Sequence, residues 1–224
     1  DMTLIGVGAA TNATQNGRVS LGHIGSGYTF PGMYGQAVYT TPNMGGFSVD
    51  LGLMSPTNNL STAKKDNLQF QARATYAGQG FKAWVGAKTQ KYDGVGGFTM
   101  NAGEVGGSVS AGAFGLLANY QGGKGIGILA DGDQGGVKGN NLLLQGTMQA
   151  AQNVKLGLGY GRSKNDSAFT GSDLRSNENL TAGVYYNLTK SVTLVGEIGQ
   201  TRSKGFSGAS AKQNSVAIGG ILFF

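Results

Sequence analysis

Val216-Ala-Ile-Gly-Gly-Ile-Leu-Phe-Phe224 closes the sequence, and its reading decides the fold. Val216, Ile218, Leu222 and Phe224 recur at alternate positions, with Gly220 at the same parity. In a strand, alternate residues share one face. The stretch therefore reads as a strand with one apolar face that finishes on an aromatic residue. A free apolar edge strand templates aggregation, and pairing the last strand with the first to close a barrel removes that edge.

The same alternation recurs through the chain. It is clearest in Phe47-Ser-Val-Asp-Leu-Gly-Leu53, Asn67-Leu-Gln-Phe-Gln-Ala-Arg-Ala-Thr-Tyr76 and Phe81-Lys-Ala-Trp-Val-Gly-Ala-Lys88, and again in Asn153-Val-Lys-Leu-Gly-Leu-Gly-Tyr160 and Val192-Thr-Leu-Val-Gly-Glu-Ile198. The blocks approach the roughly 9–11 residues with which a tilted strand crosses a bilayer. The pattern predicts thirteen strands, at 2–10, 17–24, 34–41, 46–55, 66–78, 80–91, 102–111, 114–125, 139–150, 153–164, 176–187, 190–202 and 211–224. Tight connectors at 42–45, 77–80, 150–153 and 187–190 alternate with long polar ones at 55–65, 92–101, 131–139, 163–176 and 202–212. Short turns on one side and long loops on the other are the layout of a membrane barrel.

Composition agrees. The 224 residues include 42 glycines, three prolines and no cysteine, which leaves no disulfide framework or thiolate metal site. No apolar run of about 18 residues predicts a transmembrane helix. The mean hydropathy of −0.13 suits a strand that alternates lipid-facing and lumen-facing residues. The sequence starts Asp1-Met-Thr-Leu, without the basic and apolar segments of an export signal. Its net charge of +6 invites a nucleic-acid reading, but the 17 basic residues are scattered singly, with Lys64-Lys65 the one adjacent pair. A pore wall that attracts anions accounts for them better.

The terminal Phe224 resembles the C-terminal signature of bacterial outer-membrane β-barrels. Tyr39-Thr-Thr-Pro42-Asn-Met-Gly45-Gly46-Phe47 resembles a hairpin of the general porins of β-proteobacteria, and Tyr185-Tyr-Asn-Leu-Thr-Lys190-Ser-Val-Thr-Leu194 is similar to a later strand pair of that family. Leu4-Ile-Gly-Val-Gly8 followed by Gly17-Arg-Val-Ser-Leu-Gly22 resembles the hairpin that precedes the first. The resemblance implies an all-β, antiparallel transmembrane barrel of the sixteen-stranded porin type. On that pattern residues 1–224 form a single barrel domain that starts at about the fourth strand, so the odd strand count and the absent signal share one explanation. Two departures stand out. The link Gly25-Ser-Gly-Tyr-Thr-Phe-Pro-Gly-Met33 is too short to be the family's pore-narrowing third loop, and the last strand lacks basic residues before the terminal Phe.

Alternation also assigns faces. A Lys or Arg on the lipid face at mid-bilayer costs about 2–4 kcal/mol. Arg73, Lys82, Lys88 and Lys155 are therefore expected in the lumen, as a basic wall facing Asp50 and Glu197; Arg18 lies too near a turn to place. Such a field favours anions. Tyr76, Tyr160, Tyr186 and Phe224, with Phe47, Phe81 and Phe223, stand near strand ends and suit an aromatic girdle. His23, the one histidine, has no serine and orienting acid around it in sequence and reads as a pore-wall position. Gly122-Gly-Lys-Gly-Ile-Gly127 lacks the full phosphate-loop pattern, and Asp131-Gly-Asp133 offers only two carboxylates to a cation.

These readings converge on an exported outer-membrane porin. It passes small hydrophilic solutes and ions by passive diffusion and prefers anions. It has no catalytic site, metal or cofactor, and no nucleic-acid partner. Its surroundings are membrane lipids and lipopolysaccharide, and the resemblance implies a homotrimer. The alternative is a non-channel barrel that anchors or sheathes a partner protein.

Overall fold

The computed structural model describes residues 1–3, 22–29, 35–56, 64, 66–170 and 172–224. Eleven strands form one antiparallel sheet in which every strand pairs with its neighbours in sequence. They are β1 (Gln36–Thr40), β2 (Phe47–Met54), β3 (Gln69–Gly78), β4 (Phe81–Tyr92), β5 (Phe98–Ala111), β6 (Phe114–Lys124), β7 (Lys138–Ala151), β8 (Val154–Asn165), β9 (Leu174–Asn187), β10 (Val192–Gly205) and β11 (Ser210–Leu222). Among the described residues β1 and β11 are the edges of the sheet. Each of the eleven matches a strand predicted from alternation to within a few residues. The other two predictions, 2–10 and 17–24, fall mainly on residues 4–21, outside those described, and 22–24 form a turn rather than a strand.

Two of the predicted long loops are strand instead. Between β4 and β5 only residues 93–97 remain outside the ladder, and between β10 and β11 only 206–209. Pairing continues through Lys91↔Thr99 and Arg202↔Lys212. At the β10–β11 end both faces are polar, and at the β4–β5 end the outward residues Lys91, Thr99 and Asn101 are polar while the apolar Tyr92, Phe98 and Met100 face inward, so the lipid-face alternation is lost while the backbone hydrogen bonds go on.

The two faces of the sheet differ in chemistry. Across β6 to β11 one face carries the aligned rows Leu116, Gly146, Leu158, Ala182, Ile198, Val216 and Ala118, Leu144, Tyr160, Leu180, Gln200, Asn214. Val216 and Ile218 are 73% and 86% exposed, as suits side chains whose solvent is lipid. The opposite, inner face carries Asn119, Asn141, Gln145, Ser163, Asn179, Thr181 and Thr201, all buried. A sheet whose polar face is the buried one inverts the arrangement of a water-soluble domain. The one apolar cluster found among the described residues lies at one end of the inner face, where Tyr92, Phe98 and Met100 meet and the Tyr92 and Phe98 rings stack at 4.4 Å; Leu143, Tyr185 and Val195 are buried singly elsewhere on that face.

Candidate functional site: the inner face and what covers it

Two segments lie on the inner face. The first is 22–29. His23, Ser26 and Thr29 are buried in it. The Gly27 amide donates to Ser163 Oγ on β8 at 3.0 Å, and Asn177 Nδ2 on β9 donates to the Gly25 carbonyl at 3.0 Å. The Thr29 amide reaches Gln121 Oε1 on β6. Its seat is a stripe of glycines at alternate inner positions of β8. A Cβ at Gly159 would come within 2.8 Å of the His23 ring, and one at Gly161 would strike the Ser26 carbonyl. Glycine here leaves room for a second backbone against the wall. His23 is thus no wall residue, as alternation suggested: it belongs to a turn that leans on the wall. The short link beginning at Gly25, read as too short for the family's pore-narrowing third loop, lies against the inner face over its described residues 25–29.

Its imidazole Nδ1 lies 3.2 Å from Asp1 Oδ1, and Asp1 also accepts from Tyr28 and Gln145. Burial pushes the His23 pKa down to about 4, so the ring is neutral near pH 7.

The second covering segment is the β6–β7 connection, 125–137. Ile126 and Ile128 are fully buried, and a Cβ on Gly125 would touch Phe98 and Met100, so the loop packs over that apolar cluster. Asp133 holds its shape by accepting from the amides of Ile128 and Leu129 at 2.9 Å and of Ala130 at 3.3 Å. Burial nevertheless raises the Asp133 pKa, outweighing those bonds. Asp131, fully buried, accepts from Lys88 Nζ on β4 at 2.5 Å, from Gln69 on β3 and from Thr29 of the first segment. The two carboxylates weighed as a cation site are therefore committed separately, one to the loop and one to the wall. Among the described residues no three histidine, aspartate or glutamate side chains gather for a metal.

Arg73, Lys82, Lys88, Lys155, Asp50 and Glu197 all stand at inner-face positions of the ladder. They are not one cluster. Asp50 accepts from Thr40 at one edge. Lys155 lies 5.3 Å from the Tyr185 ring, and Tyr185 donates to the buried Glu197 at 3.1 Å. Arg73 and Lys88 share a cavity of about 260 Å³ lined also by Gln71, Glu104, Gln121 and Ile126. There the Arg73 guanidinium sits 5.1 Å from the centre of the Trp84 ring and 4.0 Å from Glu104, which accepts from Gln121 at 2.8 Å. Sequence reasoning passed over Glu104. Its strand is glycine-rich, with Gly103, Gly106 and Gly107, and only Val105 and Val109 betray its faces. Arg18 lies outside the described residues.

The aromatic residues singled out occupy the outer face or its edge. Tyr76 lies at the turn end of β3, 5.6 Å from Phe81, and Tyr186 at the turn end of β9 opposite Val154 and Leu194. Tyr160 stands mid-strand, directly below Arg162 at the other border of the apolar band. Phe224 follows β11 and is fully exposed.

A greasy outer face, a wet inner face and inward-folded loops describe a barrel wall seen in part. The profile of the family described as Gram-negative porin matches residues 3–205. The chain belongs to the Gram-negative porins. It is a β-barrel protein of the bacterial outer membrane, and its family points to a channel rather than an enzyme. No curated protein matches it significantly by sequence. Among solved structures, the porin is similar to the outer membrane channel DcaP of Acinetobacter baumannii. The TM-score is 0.75 at 16% identity, over 97% of this chain and 69% of that one. It is also similar to an anion-selective porin from Comamonas acidovorans, at TM-score 0.67 and 21% identity over 84% of this chain and 59% of the other. OmpT of Vibrio cholerae follows at 0.59 and 17%, over 84% and 64%. The porin thus spans between 59% and 69% of the lengths of these three.

Proposed function

We propose that this porin is an anion-preferring channel for passive diffusion of small hydrophilic solutes. The observation that carries the reading is the placement of Arg73 and Lys88 in one cavity on the inner face. Ions crossing there meet two cations. Glu104 lies against one of them and Asp131 against the other. Lys82 and Lys155 extend the positive wall towards the turn end. A fixed positive wall raises local anion concentration and repels cations. The printed description of the Comamonas protein, an anion-selective porin, agrees in kind.

The strands belong to a single barrel domain that corresponds to part of a sixteen-stranded porin, and the assembly is a homotrimer with lipid and lipopolysaccharide around it. One observation favours the alternative of a sheath: 22–29 and 125–137 occupy the inner face, as a plug does. Reconstitution in a planar bilayer with a KCl gradient separates the two. The expected result is a steady open current with a chloride-favouring reversal potential. Inserted but silent protein sinks the channel reading, and a potassium-favouring potential sinks the anion preference.

A further inference from the structure

One inner-face row runs through Asp50, Arg73, Gly86, Glu104 and Gln121, and it sets opposite charges on either side of a residue without a side chain. Arg73 on β3 and Glu104 on β5 flank Gly86, and both line the cavity of about 260 Å³. Arg73 Nε and Glu104 Oε1 are 4.0 Å apart. That is too far for a hydrogen bond. Arg73 Nε is buried without a hydrogen-bond partner, and Glu104 Oε1 accepts from no described residue.

The wall holds this gap open. Arg73 rests over the Trp84 ring, 5.1 Å from its centre. Trp84 Nε1 donates to Asn119 Oδ1 on β6 at 2.9 Å, and the ring crosses Gly106, where a Cβ would strike both the ring and that oxygen. On the other side Gln121 Nε2 donates to Glu104 Oε2 at 2.8 Å, and Gln121 Oε1 accepts from the Thr29 amide at 3.2 Å. Each charge is anchored from outside the gap, so neither reaches the other without leaving its anchor. Two charged groups left short of a partner are costly, and a molecule that bonds to both recovers that cost.

A simple anion at Arg73 is repelled by Glu104, and a simple cation at Glu104 is repelled by Arg73. A molecule with a carboxylate and an ammonium a bond or two apart satisfies both. Lys88 lines the same cavity and spends only one of its three donors on Asp131, so it adds a second cation for the carboxylate. Gly86 and Ala102 leave the floor low, and Ile126 offers an apolar contact from the β6–β7 loop, which suits a small apolar side chain. We infer that this cavity binds small zwitterions of the α-amino-acid kind, with the carboxylate on Arg73 and Lys88 and the ammonium on Glu104 Oε1. This rests on the reading of the inner face as a permeation path, and it gives that path a solute class. The lining keeps two cations to one acid, so the preference for free anions stands beside it.

The test uses the whole chain refolded in a neutral detergent. Trp84 is the one tryptophan of the chain and lies against Arg73, so its fluorescence reports occupancy of the cavity. The probes at neutral pH are L-alanine and its two single-charge counterparts, propionate and ethylamine. L-alanine is expected to change the emission with a half-saturating concentration at least about tenfold below that of either counterpart. In a planar bilayer it is expected to reduce the chloride current over the same concentrations. Glu104→Gln is expected to bring L-alanine down to the affinity of propionate, and Arg73→Gln to that of ethylamine. Propionate binding as tightly as L-alanine overturns the inference and leaves a plain anion site, and that comparison needs no variant. So does an advantage of L-alanine that survives in both variants, and so does an emission that no probe changes. Protein that prefers L-alanine but stays silent in the bilayer keeps the site and loses the channel. Protein that conducts without that preference keeps the channel and loses the site.

Discussion

Lys88 Nζ on β4 donates at 2.5 Å to Asp131 Oδ1 in the β6–β7 loop, tying a wall cation to the loop that covers the inner face. Asp131 is fully buried, and the Lys88 side chain is 17% exposed towards the cavity. Removing the cation strands a buried carboxylate, at a cost of about 3 kcal/mol. Lys88→Met is expected to raise hydrogen exchange across 125–137 and to reduce chloride preference. Asp131→Asn loosens the same loop but frees Lys88, so its chloride preference should rise. A reversal potential that moves the same way in both variants contradicts the latch.

Arg73 is the second cation of the cavity, propped on Trp84 and partly exposed. One unit charge about 4 Å from a passing ion is worth about 1 kcal/mol in water. Arg73→Ala is therefore expected to lower the chloride-to-potassium permeability ratio about fivefold at low salt, and less at 1 M, where screening shortens the reach of the charge. The reversal potential measures both. No change at low salt removes Arg73 from the permeation path.

The glycine seat on β8 predicts a steric effect. In Gly161→Ala the new methyl meets the Ser26 carbonyl, so segment 22–29 must leave the wall. The expected outcome is larger single-channel conductance and faster proteolysis within 22–29, with the barrel still resistant to cold detergent. Gly196→Ala, where a Cβ meets nothing within 4 Å, is the control and should do neither.

His23 gives that docking a pH dependence. Its pKa is held near 4 against an ordinary value of 6.5, because burial disfavours the charged ring. Undocked, the ring binds a proton at a higher pH than when docked. Docking is thus unaffected above about pH 6.5, weakens as pH falls towards 4, and loses nothing further below that. Proteolysis of 22–29 should accelerate over this window in the wild type and be flat in His23→Gln. A flat wild-type profile shows that the ring is not buried as drawn.

Face assignment has its own test. Leu158 points outward between Gly146 and Ala182, and Thr147 inward on the neighbouring strand. Leu158→Arg is expected to destabilise the folded barrel by about 2–4 kcal/mol in lipid, and Thr147→Arg by far less. Urea titration in vesicles measures both. A larger cost at Thr147 would mean that the two faces are exchanged, and equal costs would contradict the assignment of one face to lipid.

Alternation by itself determined most of the wall. From Phe47 to Leu222 the spacing of Val, Leu, Ile and Phe places ten strands, because lipid on one face and water on the other leave a period of two in the sequence. The same parity put Arg73, Lys82, Lys88, Lys155, Asp50 and Glu197 on one face before any coordinates. It failed where the outer face turns polar: the ends of β10 and β11 are polar on both faces, and at the ends of β4 and β5 the apolar Tyr92, Phe98 and Met100 face inward, so all four read as loop. Only the tertiary structure showed that 22–29 and 125–137 fold inward. Their contacts join Thr29 to Asp131 and Gly25 to Asn177, partners about a hundred residues or more apart, held by backbone groups and by glycines whose role is to be absent as side chains. It also decided which cations face each other. The opposition of Arg202 and Lys212 is a matter of register across a turn, which the period of one strand leaves open.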